Sequence, residues 1–263
     1  MSSHLHAELP AFEVIAGDPA SPVIMHAPHA ATRIPAWVRE RILLDDRALA
    51  LELGRMTDAS TDLIAQRAAS EAAGRGALRP WRLVNRLSRL VVDPEGFPDE
   101  REQLNDRGMG AVYTSTSHGE PLRDDDTDHR QQLIDRYFTP YAETMTSLVD
   151  QRLHAAGRAV ILDIHSYPVH PLPFELYPQA RRPQICLGVD EFHTPDDLVG
   201  AAMRAFAGWE VAVNEPFVGC YVPLKHYQRD RRVSSVMIEI RRDIIEHPRL
   251  PTSLAALARA AAR

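Results

Sequence analysis

The run at 159–164, Ala-Val-Ile-Leu-Asp-Ile, constrains the fold more than any other stretch of the chain. It is short, rich in β-branched residues and nearly all apolar, the pattern of a strand covered by helices on both faces. Val23–Ala27, 185–189, Val211–Val213 and 235–240 are further strand candidates, and 82–84 and 90–92 are two candidates for an edge strand. Two long amphipathic stretches lie between them. The stretch 56–73 carries Leu63, Ile64, Ala68 and Ala72 at helical spacing and stops at Gly74. The stretch 128–155 carries a broad apolar stripe from Leu133 to Leu153, which Pro140 should kink or divide. An Ala-rich helix from Thr252 onward is assigned only a packing role. Strands alternating with helices predict an α/β fold, a mixed sheet flanked by helices, and the 263 residues suit a single domain. The segment 93–128 is rich in Gly, Ser, Thr and Asp without clear periodicity, and a long irregular segment in a compact domain is usually functional or mobile.

Charge and composition narrow the function. Thirty Lys and Arg against 36 Asp and Glu leave a net charge of −6, which argues against general nucleic-acid binding. No apolar run approaches the roughly 18 residues of a membrane span, and 1–7 lacks the apolar core of a signal peptide. Two cysteines, Cys186 and Cys220, are too few for a disulfide framework. These features predict a soluble, cytoplasmic protein acting on a small molecule. The oligomeric state is not readable from them.

In open α/β sheets ligands gather at the carboxyl ends of strands. Pro28-His29 follows Val23–Ala27, His165-Ser166 follows 159–164, and Glu239 sits near the end of 235–240. Two histidines and a glutamate at strand ends are the makings of a zinc centre with a base beside it, since catalytic zinc keeps three protein ligands and one open position. The alternative is structural: hydrogen-bonded histidines, and a Glu239 paired with Arg241 or Arg242. For a third ligand the best candidate is Asp58, with Asp62 behind it; four apart, the two would share one helix face. Asp58 is equally readable as a helix N-cap. Asn85-Arg86-Leu87-Ser88-Arg89 offers guanidinium forks for a substrate carboxylate, or a plain surface loop. His26 lies three residues before His29, His170 and His226 are candidates for the mouth of the site, and His4, His6, His118, His129, His154, His193 and His247 read as surface residues.

Six ordered motifs then resemble the N-formylglutamate amidohydrolase family: PHAATRIP at 28–35, NRLSRLVVDPEGFPDE at 85–100, GMGAVYT at 108–114, LDIHSYP at 162–168, NEPFVGCYVPLKHY at 214–227 and MIEIRRD at 237–243. The resemblance implies a phosphorylase/hydrolase-like fold related to zinc carboxypeptidases. It also implies hydrolysis of N-formyl-L-glutamate to formate and L-glutamate, a late step of histidine breakdown in some bacteria. His165-Ser166 resembles a carboxypeptidase zinc ligand, Glu239-Ile240-Arg241 resembles the Glu-Leu-Arg that carries the general base, and His29 matches the family's Pro-His. Asn85-Arg86 resembles the Asn-Arg pair that holds a substrate carboxylate. The carboxypeptidase His-x-x-Glu pair is absent, and Glu95-Gly96 stands where many members carry Asn-Arg or Glu-Arg after Val-Asp. The expected site is therefore one zinc or other divalent ion on His29, Asp58 and His165, with Glu239 as base. Asn85, Arg86, Arg89 and Arg242 bind substrate, one of the arginines helping to stabilise the oxyanion. A peptidase-like or other N-acyl-amino-acid hydrolase, or a non-catalytic binding protein on the same scaffold, is the alternative.

Overall fold

The computed structural model describes residues 9–263, so the readings of 1–7, His4 and His6 lie outside it. Seven strands form one sheet: β1 (Phe12–Ile15), β2 (Val23–Ala27), β3 (Trp81–Asn85), β4 (Ala159–Tyr167), β5 (Ile185–Gly188), β6 (Val211–Val213) and β7 (Val233–Arg241), in the order β1-β3-β2-β4-β7-β5-β6. The four central strands β3, β2, β4 and β7 run parallel, β1 is antiparallel to β3, and β5 is antiparallel to β7. This is a mixed sheet, and every residue of β2 and β4 is buried.

Helices α1 (Ala36–Arg39), α2 (Asp46–Met56), α3 (Thr61–Gly74), α4 (Thr127–Leu133), α5 (Thr139–Ala156), α6 (Asp196–Ala205) and α7 (Leu250–Ala261) cover it. The strand period of two decides which side chain meets which layer. Val23 and Met25 of β2, Val160, Leu162 and Ile164 of β4, and Val236, Ile238 and Ile240 of β7 pack with α3, α6 and α7. Ile24 and Ile161 face the other way, onto Tyr141, Met145 and Val149 of α5. On that second face the apolar alternation gives way to polar residues toward the carboxyl ends: His26 follows Ile24, and Asp163 and His165 follow Ile161. Among the described residues, no helix is long and apolar enough to cross a membrane.

Several expectations need correction. Residues 90–92 form no strand: the Ser88 hydroxyl accepts from Leu90 N and the Ser88 carbonyl from Val91 N, which closes a turn. Nor is 82–84 at the edge, since β1 pairs outside it. The single helix over 56–73 is two helices with a break at 57–60, where Ser60 takes a left-handed φ of 69°. Asp58 and Asp62 therefore share no helix face. A π-helical turn at Ile134–Phe138 divides the 128–155 stretch just ahead of Pro140. His129 and His193 are buried rather than on the surface. His193 Nδ1 donates to the Val233 carbonyl, and its Nε2 accepts from Gln228 N.

Candidate metal centre and cleft

Because β2, β4 and β7 are parallel, their carboxyl ends lie along one edge. His165 sits opposite Glu239 in the register of β4 and β7, and His26 sits opposite Asp163 in that of β2 and β4. His29 is carried past β2, and the break between α2 and α3 brings Asp58 to it, with Asp58 N donating to the His29 carbonyl at 2.9 Å. Freed from a helical position, the Asp58 carboxylate reaches both histidines. Asp58 Oδ2 lies 3.2 Å from His165 Nδ1 and 3.6 Å from His29 Nδ1, and the two Nδ1 atoms are 3.2 Å apart.

Three donor atoms thus converge on one point, each from a residue no more than 4% exposed. Zinc bound at about 2.0–2.1 Å by nitrogen or oxygen puts neighbouring ligands of a tetrahedron roughly 3.4 Å apart. The observed separations bracket that spacing, and two imidazole nitrogens facing each other beside a carboxylate suit a cation better than any mutual hydrogen bond. The residues present fit a divalent metal.

Both Nε2 atoms point outward to further carboxylates. His29 Nε2 lies 3.0 Å from Asp93 Oδ1, and His165 Nε2 lies 3.1 Å from Asp163 Oδ2 and 3.3 Å from Glu95 Oε2. For His29 the Asp93 hydrogen bond holds the proton on Nε2 and leaves Nδ1 free to bind metal, while His165 Nε2 lies at ion-pair distance from its two carboxylates without a hydrogen bond. Asp93 is itself fixed by Arg89 at 2.6 Å and by the Tyr113 hydroxyl at 2.5 Å. His26 bridges Asp163 at 2.9 Å and Glu95 at 3.2 Å, and its Nε2 meets the Tyr141 hydroxyl at 2.6 Å. Burial pulls the His26 pKa down, but hydrogen bonds to Asp163 and Glu95 outweigh it and raise the value to about 9. Burial also opposes ionisation of Asp58, yet the two histidines hold its carboxyl well below the usual range.

Glu239 has a different environment. Burial drives its carboxyl up to about 7, with the charges of Asp58 and Asp163 adding to the effect. Its Oε2 is buried and has no hydrogen-bond partner among the described residues. A carboxylate poised near neutrality is suited to proton transfer.

The predicted arginines part company. Arg242 lines the cleft and holds Asp58, its Nη2 donating to Asp58 Oδ1 at 3.3 Å and its Nη1 to the Arg55 carbonyl at 2.7 Å. Arg89 also lines the cleft but is bonded to Asp93 and Tyr113. Arg86 lies elsewhere than expected: it pairs with Glu13 at 2.8 Å and Asp62 at 2.9 Å and is not among the residues that line the cleft. Asn85 does not line the cleft either; its side chain holds the Pro28 carbonyl and Leu87 N and so shapes the loop that carries His29. Asp62 accepts from Leu63 N at the start of α3 and pairs with Arg86, apart from the cluster of His29, Asp58 and His165. His170 is exposed, His226 is buried against Asp150, and neither lines the cleft.

Sequence reasoning missed the outer carboxylates Asp93, Glu95 and Asp163. For Asp163 a signal was present: it lies two residues before His165 in a strand and so shares its face. Asp93 and Glu95 come from an irregular loop, where no period shows which way a side chain turns.

A mixed α/β sheet with a buried His–Asp–His cluster and a free glutamate at its strand ends defines a hydrolase-like framework. The chain belongs to the N-formylglutamate amidohydrolase family, whose model matches residues 21–246. It is similar in fold to the crystal structure of an N-formylglutamate amidohydrolase from Ralstonia eutropha, with a TM-score of 0.73 and 21% identity over 96% of each chain. It is also similar to a gene product of Agrobacterium tumefaciens, with a TM-score of 0.66 and 20% identity over 93% of this chain and 90% of that one. No curated protein matches.

Proposed function

We propose that this protein is a metal-dependent amidohydrolase that cleaves the N-formyl amide of an amino acid, with N-formyl-L-glutamate, giving formate and L-glutamate, as the substrate the family suggests. The observation that carries the reading is the convergence of His29 Nδ1, Asp58 Oδ2 and His165 Nδ1 on one buried point beside Glu239. These three residues would hold one zinc or other divalent ion, which when bound polarises a carbonyl and lowers the pKa of water to about 7. Glu239 accepts a proton from the attacking water and returns it to the nitrogen that leaves with the amino acid. Asp93 and Asp163 keep the histidines aimed at the metal position, and Arg242 keeps Asp58 there.

The test is metal content by mass spectrometry, together with formate release from N-formyl-L-glutamate, for wild type and His165→Ala. The expected result is about one metal ion per chain and turnover in wild type, with both lost in the variant. Wild-type protein that takes up no metal, even from added zinc, sinks the proposal.

A further inference from the structure

The cleft is much larger and more apolar than a formyl group and a glutamyl side chain require. Its volume is about 680 Å³, in the range of roughly 300–1,000 Å³ typical of pockets for drug-sized ligands. The centre opens onto a wall that includes Phe97, Phe138, Phe174, Phe217, Tyr221 and Leu224. At its rim Tyr177 is 58% and Val218 61% exposed, apolar surface that a ligand would cover. This wall is braced: Phe217 packs edge-on against Tyr167 at 5.4 Å, and Arg182 stacks over the Tyr167 ring at 4.9 Å.

Charge in the cleft is the second observation. Among the described residues five cations line it, and two of them are held by buried carboxylates of the centre. Arg89 is spent on Asp93 and Arg242 on Asp58, whereas Arg101 and Lys225, both more than half exposed, pair with Asp99 and Asp150 at the rim. Arg55 has one partner among the described residues, Glu52 at 3.4 Å, and that carboxylate is already taken by Ser117 N and Oγ. Six carboxylates also line the cleft, among them Glu95 and Glu102. A glutamyl substrate carries two carboxylates; among the described residues Arg55, held only by that long bond to Glu52, is the guanidinium most open to one of them, and six lining carboxylates oppose a second.

We propose that the preferred substrate is an N-formyl amino acid with an apolar side chain, that side chain lying on the aromatic wall and its single carboxylate anchored by Arg55. The inference rests on the amide-hydrolase reading above and narrows its substrate; N-formyl-L-glutamate is turned over, but as the poorer substrate.

Two measurements test it. The first is kcat/KM of the metal-loaded enzyme for N-formyl-L-phenylalanine, N-formyl-L-leucine and N-formyl-L-glutamate. The second is calorimetric binding of the same compounds to Glu239→Gln, which does not depend on turnover. The apolar derivatives should be at least tenfold better in both. Arg55→Gln should raise KM for N-formyl-L-phenylalanine about tenfold with kcat within about twofold, and should leave binding of its carboxamide unchanged. A preference for the glutamyl compound, or equal weakening of acid and carboxamide by Arg55→Gln, overturns the proposal, as does failure to bind any of the three. Tighter binding of the apolar compounds without turnover by wild type supports the specificity and removes the hydrolase reading instead.

Discussion

His29, Asp58 and His165 are held by strand ends and by one another, whereas Tyr177, Val218 and Leu224, a short distance across the same cleft, stand on loops with 40% or more of their surface open. In the first region each of the three side chains has a further charged group beside it: Asp93 at His29, Asp163 at His165 and Arg242 at Asp58. The second is a wall of rings and aliphatic side chains with few hydrogen bonds to satisfy. A metal centre loses affinity when its ligands are misaimed, so its positions are over-determined. An apolar wall works through area and tolerates variation in outline. The difference teaches how the two regions are built: the cluster is fixed by pairings among buried side chains, whereas the wall opposite rests on exposed loops.

Substitutions can break that division. The largest effect falls on the base: Glu239→Gln should lower kcat by about 10²–10⁴ while metal content stays at wild-type level. Loss of metal together with activity would mean that Glu239 belongs to the ligand set. Next is the support of a ligand. Asp93→Asn leaves His29 in place but weakens its orientation, so metal affinity, measured by competition with a chelator, should fall about 10–100-fold.

A third test concerns the buried histidine behind the ligands. The folded-state pKa of His26 is raised to about 9 from 6.5, so its contribution to stability is fully present below pH 6.5 and is lost as pH rises through 9. Denaturant unfolding of the metal-free protein should show stability declining across that window, and His26→Gln should flatten the decline. An unchanged profile in the variant would assign the dependence elsewhere.

The smallest effect is expected at Arg86. Its ion pairs with Glu13 and Asp62 are about a third exposed, and such pairs contribute roughly 0–1 kcal/mol. Arg86→Ala should therefore cost no more than that in unfolding experiments and leave kcat and KM within about twofold. A large rise in KM would restore Arg86 to the substrate site and undo the boundary drawn here.

Much of the centre was legible in the residues because strands translate sequence into position with a period of two. Val23–Ala27 leads into His29 and β4 into His165, which puts both histidines at the carboxyl edge of the sheet. Glu239 inside an apolar strand was conspicuous for the cost of burying it. Asp58 was found for the wrong reason: a shared helix face with Asp62 does not exist, and the helix break itself delivers the carboxylate. The placement of Arg86 is not legible in the sequence, because a guanidinium on a loop looks the same whether it faces substrate or surface carboxylates, and its partner Glu13 sits 73 residues away on β1, a strand that periodicity does not reveal.

The sequence by itself determined a mixed α/β sheet, its buried central strands and the strand-end histidines and glutamate, because these follow from local hydrophobic pattern and strand alternation. Only the tertiary structure decided which arginines are spent, which carboxylates stand behind the histidines and how large and apolar the cleft is. Those depend on pairings between residues far apart in the chain, such as Arg242 with Asp58 and Asp93 with His29, and on loops whose course no local period dictates.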